Sequence, residues 1–165
     1  MQNTVYLALG SNLGNREKYI QRAIVKIKAL IGIIENQAPI YESEPWGFDN
    51  NNWFLNTVIK VKTKLSASDV LSKCKKIESE LGRTGNNKKP GYSSRTIDID
   101  ILFFNKEIIN TADLVIPHPY IQSRNFVLFP LNDLAANFFH PVLKKTIQEL
   151  KKNCPDNGFI KILSP

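Results

Sequence analysis

The sequence predicts an α+β fold of the ferredoxin-like type, a β-α-β-β-α-β sandwich with two helices on one face of an antiparallel sheet. Two segments carry apolar residues at helical spacing, and segments with the alternating or continuous apolar pattern of strands surround them. The chain has no linker, internal repeat or low-complexity tract. We therefore expect a single domain over residues 1–165, in which the residues after 104 form a C-terminal appendage of short strands and helices.

The first elements are expected to be a strand, a helix and a second strand. Residues 4–10 read as a buried strand, which a turn rich in Gly and Asn follows at 10–15. Apolar residues at helical spacing then predict a helix over Arg16–Leu30, and Gly32 is expected to stop it. Residues 33–41 are a plausible second strand.

The next segment predicts a loop, a third strand and a second helix. Residues 45–52 are rich in turn-forming residues, and the alternating pattern over Phe54–Thr63 predicts a strand. A second helix follows, for which either Ser66 or Ser68 could supply the N-cap and which Gly82 ends.

A long polar loop over 83–94 precedes the fourth predicted strand at 96–104. Because this strand runs on into Phe103 and Phe104, we expect it to be central in the sheet. The appendage is predicted to contain short strands near Ile108 and Val115 and helices near 126–134 and 146–152.

Composition narrows the class of protein but not its partner. The 165 residues carry a formal charge of +7, which fits an anionic partner such as nucleic acid, a nucleotide or a phosphorylated metabolite. A solvated basic surface is the alternative, and it is favoured on charge alone. No apolar run reaches the roughly 20 residues of a membrane helix, and the N-terminus lacks a signal-peptide pattern, so we expect a cytoplasmic protein. Cys74 and Cys154 lack metal-site spacing, and Cys74 is expected to be buried.

The fourth predicted strand carries two acidic residues, Asp98 and Asp100, on one face. Side chains alternate across a strand, so Ile97, Ile99 and Ile101 should face the other side. The two carboxylates would lie roughly 6.5–7 Å apart, where they repel each other and are costly to desolvate. Magnesium shared with phosphate oxygens would relieve both problems. The alternative is a half-exposed strand that presents two acids to solvent, and the local sequence leaves both possibilities open.

Three other features allow both a functional and a structural interpretation. The turn at 10–15 could cradle a phosphate with its backbone amides, although a tight turn with an Asn cap is favoured because no phosphate-loop motif is present. Trp46 and Phe48 could form a lid or a flat-ring contact, or could simply pack the loop. His118, between two prolines, is equally a turn residue or a site residue, whereas Arg95 could clamp a phosphate near Asp98.

Taken together, these stretches closely resemble the 6-hydroxymethyl-7,8-dihydropterin pyrophosphokinase family. The resemblance spans about residues 5–134 in the family's order. Its most specific part is an Arg-x-x-Asp-x-Asp strand followed by Pro-His-Pro. The matching segments are 8–14, 54–56, 77–78, 82–83, 95–101, 116–119, 124–128 and 130–131.

The resemblance implies an enzyme of folate biosynthesis. It would transfer the β,γ-pyrophosphoryl group of ATP to the hydroxymethyl group of the dihydropterin and release AMP. Two magnesium ions are implied as cofactors, and ATP and the pterin as small-molecule partners, with no nucleic acid and no membrane. We expect a monomer, although the sequence does not fix the oligomeric state.

The resemblance also assigns roles around the phosphates. Asp98 and Asp100 match the ligands of the two magnesium ions, and Arg83 and Arg95 match arginines that act on the phosphates during the chemical step. These four residues are the expected catalytic set. The residues expected to contact ATP are Glu78, Arg83, Arg95, Ile101, His118 and Arg124.

On the pterin side, Phe54 and Phe126 match the aromatic residues that sandwich the ring, and Asn56 matches the residue that hydrogen-bonds its edge. The full set expected around the pterin is Ser43, Pro45, Trp46, Gly47, Phe54, Asn56 and Phe126. The sequence departs from the commoner pattern at Glu44 and Trp46, where Pro and a smaller aliphatic residue are frequent.

Two other classes of protein share parts of this pattern. A ferredoxin-like RNA-binding module has the same element order and a basic charge, but it requires aromatic residues on its central strands, where this chain places two acids. A glycosyltransferase with an Asp-x-Asp motif needs a nucleotide-binding domain for which 165 residues leave no room.

Overall fold

The structure is a computed structural model that describes residues 2–45, 52–82 and 96–163. In this part of the chain, an antiparallel sheet lies between two layers of helices. The elements are β1 (Asn3–Ser11), α1 (Arg16–Leu30), β2 (Ile33–Gln37), β3 (Tyr41–Ser43), β4 (Phe54–Thr63), α2 (Ala67–Glu80), β5 (Asp98–Phe104), β6 (Ile109–Asn110), β7 (Val115–Ile116), a 3-10 turn (Ile121–Ser123), α3 (Asn125–Ala135), α4 (Ile147–Lys152) and β8 (Ile160–Ile162).

The two predicted helices begin where the sequence provides a cap. The side chain of Asn15 accepts a hydrogen bond from the backbone N–H of Lys18 at the start of α1, as expected for the favoured tight turn. At the start of α2, Ser66 accepts from the backbone N–H of Asp69, which settles the choice between the two serines. Gly82 follows α2 with φ +99°, a backbone conformation that residues other than glycine rarely adopt.

The second predicted strand is divided into β2 and β3, and both pair with β4. Pro39 lies at the interruption and has no N–H to donate to the sheet. The Thr57 hydroxyl donates to the carbonyl oxygen of Ala38 at 2.9 Å and so satisfies the backbone at the break. The prediction of one continuous strand over 33–41 was therefore wrong because it ignored this proline.

The sheet runs in the order β5-β1-β4-β3-β8, with β2 also paired to β4. Within the described residues, β5 is the end strand, so the prediction that it is central was wrong. Its apolar character comes from burial on both faces. Ile99 and Ile101 join the core under α1 and α2, whereas Leu102 and Phe103 join a second core on the opposite face.

The region expected as an appendage covers this second face of the sheet. Val127, Leu128 and Leu131 of α3 pack with Ile147 and Leu150 of α4 against the sheet. The short strands near Ile108 and Val115 are confirmed as β6 and β7, which pair with each other. The edge strand β8 was not predicted. None of the helices in the described ranges has the length and hydropathy of a membrane span.

Candidate active site

A pocket with an empty volume of about 470 Å³ opens between β1, β4, β5 and the start of α3. It lies on the face of the sheet that the C-terminal layer covers. Five of the residues that line it belong to the site expected from the sequence: Phe54, Asn56, Asp98, Asp100 and Phe126. Residues distant in the sequence therefore meet around one cavity, as the resemblance requires.

The alternation of β5 sends its two acids into this pocket. Ile99 and Ile101 are buried in the core, whereas Asp98 and Asp100 are half-exposed on the opposite face. Glu78 holds this strand in place, because its carboxylate accepts a hydrogen bond from the backbone N–H of Ile99 at 2.8 Å. The two acids thus lie on a strand whose outer edge is hydrogen-bonded to α2 through Glu78.

The donor set of this pair suits magnesium bound together with a phosphorylated ligand. Across residues 2–45, 52–82 and 96–163, no group of three or more His, Cys, Asp or Glu side chains could enclose a metal ion. Magnesium does not need such a cage, since it commonly binds one or two carboxylates and takes its other ligands from phosphates and water. Asp98 and Asp100, half-exposed on one face beside a pocket, fit that mode.

His118 lies next to the acidic pair, with its Nε2 3.9 Å from Oδ2 of Asp100. Its Nδ1 accepts a hydrogen bond from the backbone N–H of Tyr120 at 3.2 Å. Burial, together with the charge of Arg124, lowers the pKa of His118 to about 4. The imidazole is therefore neutral at physiological pH, and its protonated Nε2 faces the carboxylate.

Arg124 is a buried cation at the boundary of the pocket, with 5% of its surface exposed. Its guanidinium carbon lies 4.8 Å from the ring centroid of Tyr120 and 5.7 Å from that of Phe126. A cation over aromatic faces is stabilised by their quadrupoles. Arg124 consequently links the ring expected beside the pterin to the side of the pocket that holds His118.

The wall around Asn56 contains a residue whose role the sequence did not indicate. The Asn56 amide donates to the hydroxyl of Ser43 at 2.9 Å, so these two expected pterin residues form one buried unit. A Cβ at Gly10 would lie 2.9 Å from Oδ1 of Asn56. Gly10 thus provides room for this amide, a constraint that depends on the pairing of Gly10 with Asn56 across β1 and β4.

Four of the expected site residues, Arg83, Arg95, Trp46 and Gly47, lie outside the described residues, as do the loop segments 46–51 and 83–95. Pro45 is half-buried at the last described position before the first of these segments. The side chains of two further expected residues, Ile101 and Glu78, do not line the pocket. Ile101 points into the core, so a contact with ATP would have to use its backbone, and Glu78 anchors β5.

Comparison with known proteins agrees with the family resemblance found in the sequence. The chain matches, over residues 6–136, the model of the family described as 7,8-dihydro-6-hydroxymethylpterin-pyrophosphokinase. It is 44% identical over 154 residues to the 2-amino-4-hydroxy-6-hydroxymethyldihydropteridine pyrophosphokinase of Aquifex aeolicus, covering 93% of this chain and 92% of the relative. The enzyme of the same name from Bacillus subtilis is 39% identical over 135 residues, covering 81% and 79%.

Solved structures share the fold at lower identity. The wild-type HPPK-DHPS of Plasmodium falciparum with pteroate superposes with a TM-score of 0.74 at 21% identity, covering 92% of this chain and 42% of that one. The chain therefore spans less than half the length of this solved protein. At this identity the similarity concerns the fold.

Proposed function

Because the chain belongs to the 7,8-dihydro-6-hydroxymethylpterin-pyrophosphokinase family, we propose that it transfers a pyrophosphoryl group from ATP to 6-hydroxymethyl-7,8-dihydropterin in folate biosynthesis. The products would be AMP and the pterin diphosphate. The observation that carries the proposal is the pocket that places Asp98 and Asp100 together with Phe54, Asn56 and Phe126. Acids for a nucleotide-bound metal and aromatic walls for a flat ring are what the two substrates require.

The pterin would lie between Phe54 and Phe126, with its polar edge on Asn56. Flat aromatic walls bind a fused ring by stacking and by burial of its faces. The hydrogen bond from Asn56 to Ser43 fixes the amide, so its remaining donor and acceptor capacity is oriented before the substrate arrives. This arrangement favours a bicyclic ring that carries amide-like hydrogen-bonding groups on one edge.

The triphosphate would lie on the side of Asp98 and Asp100. These two residues would hold magnesium, and the bound metal would supply charge neutralisation for the phosphates. His118, through its Nε2–H, and Arg124 are proposed to donate hydrogen bonds to the nucleotide or its phosphates, and Arg83 and Arg95 to follow the charge as it moves. Pyrophosphoryl transfer requires mainly positioning and charge stabilisation, so no dedicated general base is assigned.

The sheet order β5-β1-β4-β3, with α1 and α2 packed on one face, supports the finer proposal of a ferredoxin-like core. The cytoplasmic location and the monomeric state stay predictions.

The test is the pterin dependence of AMP formation. Purified protein with ATP and magnesium should form AMP only when 6-hydroxymethyl-7,8-dihydropterin is added. The matched control is 6-methyl-7,8-dihydropterin, which has the same ring but no acceptor hydroxyl and should yield no AMP. ADP as the nucleotide product, or AMP formation that ignores the acceptor, would contradict the proposal.

A further inference from the structure

A short segment near the C-terminus joins the two sides of the pocket. Residues 156–159, which we call the C-terminal strap, follow α4 and lead into β8. The strap lies beyond residues 6–136, the part matched by the family model. It contacts the start of α3 on one side and the residue after β3 on the other.

The first anchor of the strap is the N-terminus of α3. Arg124 occupies the N-cap position, where its side chain has no acceptor to offer the N–H groups of the first turn. Asp156 supplies one, because its Oδ2 accepts from the backbone N–H of Asn125 at 3.1 Å. The side chain of Asn125 in turn donates to the carbonyl oxygen of Gly158 at 2.8 Å. The next residue of this helix is Phe126, a wall of the pocket.

The second anchor is Glu44, which also lines the pocket. The backbone N–H of Phe159 donates to Oε1 of Glu44 at 2.9 Å, and the backbone N–H of Glu44 donates to the carbonyl oxygen of Phe159 at 3.2 Å. The ring of Phe159 also contacts that of Trp53, with centroids 5.7 Å apart. The strap is thus bonded to both walls and not merely packed near them.

Gly158 shows how closely the strap approaches its anchors. A Cβ at this position would lie 2.9 Å from Oε1 of Glu44 and 3.0 Å from Oδ1 of Asp156. Both contacts are shorter than carbon and oxygen atoms normally tolerate. A side chain at residue 158 would therefore have to displace one anchor or the other.

From this geometry we infer that the C-terminal strap is a positioning element that fixes the separation of the two pterin-binding walls, with Asp156 as its principal positioning residue. The inference rests on the proposed function, because it names the pterin as the ligand of this pocket. The anchors of the strap are Asn125, which precedes Phe126, and Glu44, which lines the pocket, so its loss should affect the binding of the pterin more than that of the nucleotide. A loosened wall raises the cost of ordering the pocket around its ligand, which weakens binding.

The test compares Asp156→Ala with a matched control, Asp69→Ala. Asp69 is likewise an acid at the N-terminus of a helix, within the first turn of α2, but α2 does not line the pocket. In Asp156→Ala the KM for the pterin should rise about tenfold, whereas the KM for ATP should stay within about twofold. Asp156→Asn keeps an acceptor oxygen and should restore much of the lost affinity. Gly158→Ala should change the pterin KM in the same direction by displacing Glu44.

Equal changes in the two KM values, or a pterin KM in Asp156→Ala no different from that of Asp69→Ala, would overturn the inference. A wild-type protein that forms no AMP would contradict the proposed function instead. In that case amide hydrogen exchange at Asn125 and Phe126 decides whether the strap positions the wall. Faster exchange in Asp156→Ala than in Asp69→Ala supports the strap, and equal exchange refutes it.

Discussion

At the scale of single residues, the proposed chemistry of the pocket depends on Asp98 and Asp100. Replacing either carboxylate by the isosteric amide, as Asp98→Asn or Asp100→Asn, keeps the shape of β5 but removes a charge that magnesium requires. We expect kcat to fall by about 100-fold or more, which corresponds to about 3 kcal/mol of transition-state stabilisation. Initial rates of AMP formation at saturating substrates measure this effect.

Asp113→Asn is the control for this charge change, because Asp113 is exposed in the turn between β6 and β7. It should retain nearly full activity. Near-normal rates in either Asp98→Asn or Asp100→Asn, with the thermal midpoint unchanged, would show that the metal site has been misplaced.

Gly10 supports a second residue-scale prediction, since a Cβ there would lie 2.9 Å from Oδ1 of Asn56. Gly10→Ala should displace this amide and raise the KM for the pterin by about tenfold, a typical effect of one misplaced hydrogen-bonding group. If the effect passes through the amide, Gly10→Ala should cost little more in an Asn56→Ala background. Additive losses in the double variant would mean that Gly10 acts by another route.

These residues also show what a sequence can reveal about a site. Alternation along one strand was enough to predict that Asp98 and Asp100 share a face, because it depends only on local backbone geometry. The role of Gly10 depends on its pairing across β1 and β4 with Asn56, a residue 46 positions later in the chain. No pattern within either segment specifies that register, so the constraint appeared only in the structure.

At the scale of secondary-structure elements, the contact between α2 and β5 supports the acidic pair. Glu78→Ala would leave the buried backbone N–H of Ile99 without its carboxylate acceptor and should cost about 1–3 kcal/mol of unfolding free energy. Glu78→Gln retains an acceptor oxygen and should lose less. Urea denaturation monitored by circular dichroism measures both changes.

A Glu78→Ala variant as stable as the wild type would show that the bond from Ile99 to Glu78 contributes little to the edge of the sheet. An ATP affinity that falls in Glu78→Gln, with stability maintained, would instead favour the nucleotide contact that the resemblance implies for Glu78.

The elements were predictable where local signals define their ends. The bounds of α1 and β4 agree with the prediction, because Asn15 and the alternating pattern are visible in the sequence. The end position of β5 was not predictable, since burial under two helix layers produces the same apolar pattern as a central strand. The three-residue strand β8 carries too short a pattern to detect.

At the scale of the whole molecule, stability should depend on pH through the two histidines of the chain. His140 is buried at 3% exposure, and its Nδ1 accepts from the backbone N–H groups of Val142 and Leu143 at 3.1 and 3.0 Å. Burial lowers its pKa below the usual 6.5, and the pKa of His118 is lowered to about 4. Burial therefore disfavours the protonated form of both side chains in the folded protein.

The sign of the pH effect follows from these lowered pKa values. Below pH 6.5 the unfolded chain takes up protons that the folded chain does not, so the free energy of unfolding should fall as the pH decreases. Each histidine can contribute at most about 1.4 kcal/mol per pH unit while only its unfolded form is protonated. His140→Asn, whose amide oxygen can accept in place of Nδ1, should reduce the slope between pH 6.5 and 5 by up to half. Urea denaturation at several pH values measures the slope of the unfolding free energy against pH. An unchanged slope in His140→Asn would show that His140 does not contribute to the pH dependence.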